Sequence, residues 1–341
     1  MKQENATIKR QTPNAKRQTP NAKPFFARLK ARLKKIALIY YPVHYVNVAV
    51  RYVFSFIRWQ LYKHTVKFNR SGLNTTEKRS RRIIASLTSY PARIEIVPYV
   101  IASILNQTMK PDKIILWLGA EKFPDKKLPK IFDVLRECGV DIEFREDVGP
   151  LTKYFYAGQE YPDDIIITFD DDIVYKNFII ETLYKSYLEH PDCVSAMWIS
   201  KIAFEPDGNI ASYREWKTAY CMNKKGKPSH TFFALGVAGA LYPPHAVHTE
   251  AFNIDIIRKF SLVTDDIWWK IMEVMNNTKV VSAYNDNKIP GWDAFGSQAT
   301  AMWRINIIGG NNDREIKIML DIYSSWHDND AKTLLDIIRE G

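Results

Sequence analysis

An apolar strand that runs directly into three aspartates limits what this chain can fold into more than any other feature. Ile165–Phe169 is a run of apolar and β-branched residues that predicts a buried strand, and Asp170, Asp171 and Asp172 follow it without a break. Adjacent carboxylates at the end of a buried strand repel one another and lose hydration, so the cluster is costly unless a cation neutralises it. We therefore expect positive charge at the carboxyl end of this strand.

The alternation of side chains along an extended strand places Asp170 and Asp172 on one side and Asp171 on the other. Two carboxylates on one side are hard oxygen ligands that suit Mg²⁺ or Mn²⁺, with substrate phosphates and water completing the coordination. The sequence thus predicts a divalent cation on Asp170 and Asp172. The alternative is that the aspartates are exposed and cap the following helix, for which a single Asp would suffice.

Short apolar strands alternate with helices through much of the chain, which is typical of a parallel α/β sheet. The predicted strands are Ile83–Leu87, Lys113–Gly119, Val140–Phe144 and Asp164–Phe169. The predicted helices are Pro91–Gln107, Lys127–Cys138 and Asn177–His190. In open sheets of this kind ligands bind beyond the carboxyl ends of the strands, so the polar residues at those ends are the candidates for function.

The net charge of +10 is unevenly distributed along the 341 residues. Residues 1–76 hold 16 basic side chains and one acidic side chain, whereas the rest of the chain has a net charge of −5. This distribution argues against a basic nucleic-acid groove in the main domain. Three cysteines without a C-x-x-C pair indicate a reducing compartment and argue against a structural zinc site.

Three segments follow from this pattern. Residues 1–23 repeat the heptapeptide KRQTPNA at 9–15 and 16–22, and this polar composition predicts a disordered tail. Residues 24–76 form a basic, aromatic helical segment, in which 24–68 is expected to bind an anionic membrane surface. Its longest uncharged run has 15 residues, fewer than the roughly 20 that span a bilayer. The alternative is a helical pair, broken at Pro42, that packs on the main domain, residues 77–341.

A hydrophobic strand that ends in Asp-x-Asp resembles the DXD signature of the GT-A glycosyltransferases. Leu87–Arg93 and Ser103–Thr108 are similar to the opening of the bacterial family-2-like members of that group. The resemblance implies a Rossmann-like α/β domain with a mostly parallel central sheet, a nucleotide-sugar donor and a Mn²⁺ or Mg²⁺ cofactor. It covers about residues 81–312, so the basic N-terminal extension lies outside it.

The same resemblance implies contacts to the nucleotide sugar from several residues, each with a plain structural alternative. Thr88 would contact base or ribose, or else cap a helix. Arg93 and Lys153 would reach the nucleotide, or else be solvated surface cations. Gly236 and Gly239 lie in an apolar stretch, which indicates close backbone approach or a packing bend. The implied donor-site residues are Thr88, Arg93, Lys153, Asp170, Asp171 and Gly239.

The residues of a second acidic pair, Asp265-Asp266, lie 93 and 94 residues beyond Asp172. Thr264 or Asp265 could cap the helix that follows, which is the structural interpretation. The pattern also resembles the acidic motif of inverting GT-A enzymes, in which the second acid faces the acceptor hydroxyl. By that match Asp266 is the general base, since a carboxylate within hydrogen-bond reach can remove the hydroxyl proton.

The resemblance, together with the acidic motifs, implies a metal-dependent glycosyltransferase of the hexosyltransferase type. It would move a sugar from a nucleoside diphosphate donor to a glycan or lipid-linked acceptor, and no nucleic-acid partner is expected. The resemblance implies bacterial surface polysaccharide synthesis, in lipopolysaccharide or capsule, at the cytoplasmic face of the inner membrane. Three alternatives stay open: a retaining mechanism, a metal-dependent nucleotidyltransferase, and a non-catalytic, membrane-associated assembly protein with the same fold.

Overall fold

The computed structural model describes residues 37–218, 227–260, 264–284, 290–297 and 304–341. The predicted disordered tail, residues 1–23, lies outside the described residues, as does the first part of the basic segment, residues 24–36. The chain divides into two compact units, Met1–Arg58 and Trp59–Gly341. Each unit is described by itself below.

The described residues form strands and helices in alternation. The strands are β1 (Ile83–Ser89), β2 (Lys113–Gly119), β3 (Asp141–Arg145), β4 (Ile165–Phe169), β5 (Ile173–Tyr175), β6 (Val194–Ala196), β7 (Ile199–Lys201), β8 (Lys217–Thr218), β9 (Phe232–Ala234), β10 (Ala240–Tyr242), β11 (Val280–Ser282) and β12 (Gly291–Asp293). The α-helices are α1 (Ala37–Thr65), α2 (Val97–Leu105), α3 (Ile131–Glu137), α4 (Thr152–Glu160), α5 (Ile179–Glu189), α6 (Ile254–Phe260), α7 (Asp265–Met275), α8 (Asn311–Ile322) and α9 (Leu334–Glu340).

A seven-stranded sheet with the order β11-β6-β10-β4-β1-β2-β3 forms the centre of the second unit. β10 is antiparallel to both of its neighbours, and the other strand pairs are parallel. Two smaller antiparallel sheets, β12-β5 and β8-β7-β9, complete the strand pairing of the described residues. The predicted α/β class with a mostly parallel central sheet is confirmed.

The central strands are buried on both faces, which explains their continuous apolar sequences. Ile83 and Ile165 belong to one apolar cluster, which contains side chains of α2, α3 and α5. Ile84 and Ile166, one residue further along the same strands, belong to the cluster on the other face, with side chains of α4, α7, α8 and α9. Helices therefore cover both faces of the sheet, and the carboxyl ends of β1 and β4 come side by side.

The N-terminal helix α1 is a single element. The alternative of a helical pair divided at Pro42 does not hold for the described residues, because α1 continues through this proline from Ala37 to Thr65. Trp59 lies on α1 and is the first residue of the second unit. It is 5% exposed and packs with Val174 and Ala294 of the same unit. Among the described residues, no helix has the length and apolarity needed to cross a membrane.

Candidate active site

The candidate site is built where β1 and β4 end next to each other. Leu87 of β1 pairs with Phe169 of β4 in parallel register, so the residues that follow the two strands share one edge of the sheet. Ser89 Oγ donates a 2.5 Å hydrogen bond to Asp171 Oδ2 across this edge. The predicted convergence of strand ends thus brings the aspartate triplet against the residues that follow β1.

Arg93 neutralises two of the three aspartates directly. Its Nη1 donates to Asp171 Oδ1 at 2.6 Å, and its Nη2 lies 3.0 Å from Asp172 Oδ2. Arg93 ends the single helical turn Pro91–Arg93 after β1 and is buried, as are both aspartates. Arg93 is therefore an internal counter-ion of the aspartate triplet. It contacts Asp171 and Asp172, two of the aspartates that the sequence analysis selected.

Lys153 joins the triplet to the second acidic pair. Its Nζ lies 2.7 Å from Asp170 Oδ1 and 2.8 Å from Asp265 Oδ2, and its side chain is 9% exposed. The backbone carbonyl of Lys153 accepts a hydrogen bond from Ser86 Oγ, which in turn accepts one from Trp117 Nε1 at 2.8 Å. Strands β1 and β2 therefore hold the start of α4, and with it this lysine, in place.

Asp265 and Asp266 form the first turn of α7, where the partial positive charge of the helix end favours carboxylates. Thr264, the residue before the helix, makes no side-chain capping bond, and its hydroxyl donates to Asn312 Oδ1 at 3.3 Å instead. Asp266 Oδ1 accepts a 3.2 Å hydrogen bond from the Gly236 amide. The second acid thus contacts the loop after β9 and is held towards Lys153.

Gly236 and Gly239 of the apolar stretch differ in what surrounds them. A Cβ on Gly236 would lie 2.9 Å from Asp266 Oδ1 and 3.0 Å from Lys153 Nζ, so this glycine allows both charged groups to approach the backbone. Gly239 has φ +98° and a Cβ there would meet Ile179 at 3.3 Å, so its role is in the bend before β10. Gly239 was the glycine predicted for the site, whereas Gly236, three residues earlier, is the one that lies against the charged residues.

Thr88 lies on β1, and its hydroxyl bonds to the neighbouring strand β2. Its Oγ1 donates a 3.0 Å hydrogen bond to the carbonyl of Trp117, its register partner on β2. The side chain is half-buried between the two strands. Of the predicted donor-site residues, Arg93, Lys153, Asp170 and Asp171 are therefore joined by direct contacts, while Thr88 and Gly239 are engaged in backbone packing.

Asp293 is a site residue that sequence analysis missed. It belongs to β12, which pairs antiparallel with β5 so that Asp293 lies opposite Ile173. The next amide, that of Ala294, donates to the carbonyl of Asp172 at 2.8 Å, and the Asp293 charge contributes to the raised pKa of Asp172. No local pattern marks this residue, because its proximity depends on a strand pair 118 residues apart in sequence.

The site holds more carboxyl groups than cations, and burial raises the pKa of several of these carboxyl groups. Burial, followed by the charge of Asp170, raises the pKa of Asp172 to about 7. Burial also raises the pKa of Asp171 and of Asp265, and with the charge of Asp265 it raises that of Asp266 well above its ordinary value. In the described part of the chain, six carboxylates converge here, and Arg93 and Lys153 are the cations that contact them.

This donor set fits a divalent cation of the Mg²⁺ type that also contacts substrate. Asp170 is 27% exposed at its side chain, so it reaches the surface. Asp171 and Asp172 lie in the turn after β4 and both contact Arg93, so the predicted strand alternation, with Asp170 and Asp172 on one side and Asp171 on the other, is wrong. Within the described ranges, no group of three or more His, Cys, Asp and Glu is placed to hold a metal by protein ligands alone. Mg²⁺ commonly binds one or two carboxylates and completes its coordination with substrate phosphates and water.

Comparisons with known proteins give limited similarity. No family model matches the chain, and no curated protein matches it. Among solved structures, glucosyl-3-phosphoglycerate synthase from Mycobacterium tuberculosis, in complex with Mn²⁺, uridine-diphosphate and glucosyl-3-phosphoglycerate, is 15% identical with a TM-score of 0.28. That match covers 36% of this chain and 50% of that chain, so the chain spans about half the length of this protein.

A second matched structure is 4-diphosphocytidyl-2C-methyl-D-erythritol synthase. It is 10% identical with a TM-score of 0.40, and the match covers 65% of this chain and 97% of that chain. At these levels of similarity, neither structure identifies a family for the chain.

Proposed function

We propose that Trp59–Gly341 is a metal-dependent glycosyltransferase that moves a sugar from a nucleoside diphosphate to a glycan or lipid-linked acceptor. The observation that carries this proposal is the meeting of two acidic motifs at one strand edge. Asp170, which would bind the cation, and the Asp265-Asp266 pair both lie against Lys153. Transfer of a sugar from a nucleoside diphosphate to a hydroxyl requires a cation at the diphosphate and a base at the hydroxyl, and this site offers candidates for both.

Asp170 and Asp172 would hold the Mn²⁺ or Mg²⁺ ion, whose charge would stabilise the leaving nucleoside diphosphate. Arg93 keeps the Asp171 and Asp172 carboxylates in fixed positions, because the guanidinium contacts both. The chain's own contribution here is to orient the two ligands and to keep Asp170 partly open to solvent.

Asp266 would act as the general base towards the acceptor hydroxyl. Its carboxylate is held by the Gly236 amide at 3.2 Å, and its raised pKa makes it a better proton acceptor once it is ionised. Direct attack by the deprotonated hydroxyl on the anomeric carbon gives inversion in a single displacement. The acceptor class that we propose is the glycan or lipid-linked intermediate of bacterial lipopolysaccharide or capsule synthesis.

The first test is a thermal-shift screen of the purified chain against UDP, GDP, CDP and CMP with Mn²⁺, Mg²⁺ or EDTA. A ligand that binds only the folded state raises the melting temperature by mass action. We expect a metal-dependent rise with one nucleoside diphosphate that is lost in Asp172→Asn. Asp125→Asn is the matched control, because Asp125 is 71% exposed and remote from the triplet in sequence.

The product then separates sugar transfer from transfer at phosphorus. A glycosyltransferase releases the nucleoside diphosphate, whereas a nucleotidyltransferase using the same aspartates releases pyrophosphate. Folded protein whose melting temperature responds to no nucleotide would overturn the donor site and favour a non-catalytic assembly protein.

A further inference from the structure

We propose that residues His44–Arg58 of α1, termed here the amphipathic segment, bind the surface of a bilayer that contains anionic lipids. This inference goes beyond the proposed sugar transfer and does not depend on it. It rests on the residues of the first unit that the structure describes, on their exposure, and on the distribution of charge along the N-terminal part of the chain.

Large apolar side chains of the amphipathic segment are exposed along its whole length. Their exposed fractions lie between 43% for Phe56 and 67% for Tyr45 and Phe54. A continuous exposed apolar surface of this kind is unusual in a monomeric protein and marks a contact surface. The residues concerned are Tyr45, Val46, Val48, Val50, Tyr52, Val53, Phe54, Phe56 and Ile57.

The polar residues of the same segment occupy one narrow stripe. His44, Asn47, Arg51, Ser55 and Arg58 follow each other at spacings of three, four, four and three, which places them on one side of an α-helix. The exposed apolar residues fill the remaining, broader arc. Such a helix lies in the plane of a membrane interface, with its apolar arc among the acyl chains and its polar stripe towards water.

Charge identifies the occupant of this surface as anionic lipid. Between Glu4 and Glu77 the chain has 15 Lys and Arg residues and no acidic residue. Within the amphipathic segment the charged residues are Arg51 and Arg58, so two copies joined through this surface would bring like charges together, whereas anionic headgroups would attract them. Tyr45 and Tyr52 add rings with a polar tip, which suit the headgroup level. The cytoplasmic leaflet of a bacterial inner membrane offers this lipid chemistry.

Flotation of the full-length chain with vesicles tests the proposal. Vesicles of phosphatidylcholine alone are compared with vesicles that also contain phosphatidylglycerol, at low and high salt. We expect the protein to float with the anionic vesicles and much less with the neutral ones. The variant Val50→Glu with Phe54→Glu should bind at least about tenfold more weakly, since it loses two exposed apolar anchors. Both side chains are exposed, so the variant should melt at the temperature of the unaltered protein.

Two further variants separate the contributions. Arg51→Gln with Arg58→Gln should weaken binding to the anionic vesicles and reduce its salt dependence, with little effect on neutral vesicles. Leu188→Glu is the matched control, because Leu188 is 62% exposed but lies on α5, outside the amphipathic segment. It should bind vesicles like the unaltered protein.

Two results would overturn the proposal. One is a folded protein that does not float with anionic vesicles, or whose binding is unchanged by the paired glutamates. The other is a dimer, seen by light scattering, that the same glutamates dissociate while vesicle binding is absent. In that case a second copy of the chain covers the apolar arc.

Discussion

Lys153 Nζ lies 2.8 Å from Asp265 Oδ2, so the second residue of α4 and the first residue of α7 form a buried ion pair. Burial alone would lower the pKa of the Lys153 ammonium, but the charges of Asp170 and Asp265 hold it well above its ordinary value. Lys153 is therefore a cation throughout the physiological range. It couples the strand-end triplet to the α7 acids, so that a change of charge in one group is felt by the other.

Replacing this lysine should disturb both acidic motifs at once. Lys153→Met leaves Asp170 and Asp265 without their common partner, and removal of one member of a buried pair typically costs about 3–5 kcal/mol. We expect a melting temperature several degrees lower at pH 8, with a smaller loss at pH 5, because burial raises the pKa of Asp265 and its protonation removes part of the unpaired charge. Thermal denaturation at the two pH values measures the difference.

Lys153→Arg and Lys185→Met are the comparisons for this variant. Arginine keeps the charge, but Gly236 already lies against Nζ, so the larger guanidinium should not restore the site fully. Lys185 forms an exposed pair with Glu181, and its removal should leave the melting temperature nearly unchanged. Equal stability of Lys153→Met and Lys185→Met would contradict the buried bridge.

The two loop glycines should respond differently to a methyl group. Gly236→Ala would displace Asp266 Oδ1 or Lys153 Nζ, so we expect transfer activity to fall with a modest change in melting temperature. Gly239→Ala forces a non-glycine residue into φ +98°, which costs on the order of 1–3 kcal/mol and should lower the melting temperature instead. Parallel assays of activity and thermal stability on the two variants separate these effects. Full activity of Gly236→Ala would contradict the prediction that close approach at Gly236 is needed to position Asp266 and Lys153.

Cation binding should stabilise the protein more as the pH rises. The pKa of Asp172 is about 7 in the folded protein, above its ordinary value of 3.8, so the folded state holds this proton more tightly than the unfolded state. The stability that protonation contributes is present at low pH and is lost as the pH rises from about 4 towards 7. A divalent cation on Asp170 and Asp172 would offset that loss.

We therefore expect Mn²⁺ or Mg²⁺ to raise the melting temperature clearly at pH 8 and little at pH 5. Scanning fluorimetry across this range, with EDTA as the reference, measures the difference. Asp172→Asn should flatten both the pH dependence and the cation effect. A cation effect of the same size at both pH values would argue against these carboxylates as its ligands.

The sequence predicted the parts of this structure that depend on local pattern. Ile165–Phe169 is buried on both faces because every residue is apolar or β-branched. The repulsion among the three aspartates predicted positively charged partners, and the structure has them in Arg93 and Lys153. The identity of those partners depends on tertiary distances. Nothing near Lys153 in sequence indicates that α7 will bring Asp265 to it, and the contact of this lysine to the nucleotide stays a prediction. Asp293 was missed for the same reason.

The helical segment shows a similar limit. Pro42 is a local signal for a break and favoured the alternative of two helices, whereas α1 continues through it. Gly236 and Gly239 were recognised as a pair, but which of them touches charged side chains depends on the path of the loop between β9 and β10. Local pattern therefore indicated neither that the helix continues through Pro42 nor which side chains lie next to each glycine.

Removal of the candidate base should separate donor binding from catalysis. Asp266→Asn keeps the shape of the side chain, and its amide oxygen can still accept the hydrogen bond from Gly236. Loss of a general base commonly lowers the rate by about 10²–10⁴-fold, so we expect kcat to fall by that order while the nucleotide-induced thermal shift is retained. In the unaltered enzyme, the rate should rise with pH as Asp266 loses its proton, because its pKa is raised by burial and by Asp265. The variant should lose this rise. Unchanged kcat in Asp266→Asn, in protein that still binds nucleotide and metal, would assign the proton transfer to another group and leave the donor site intact.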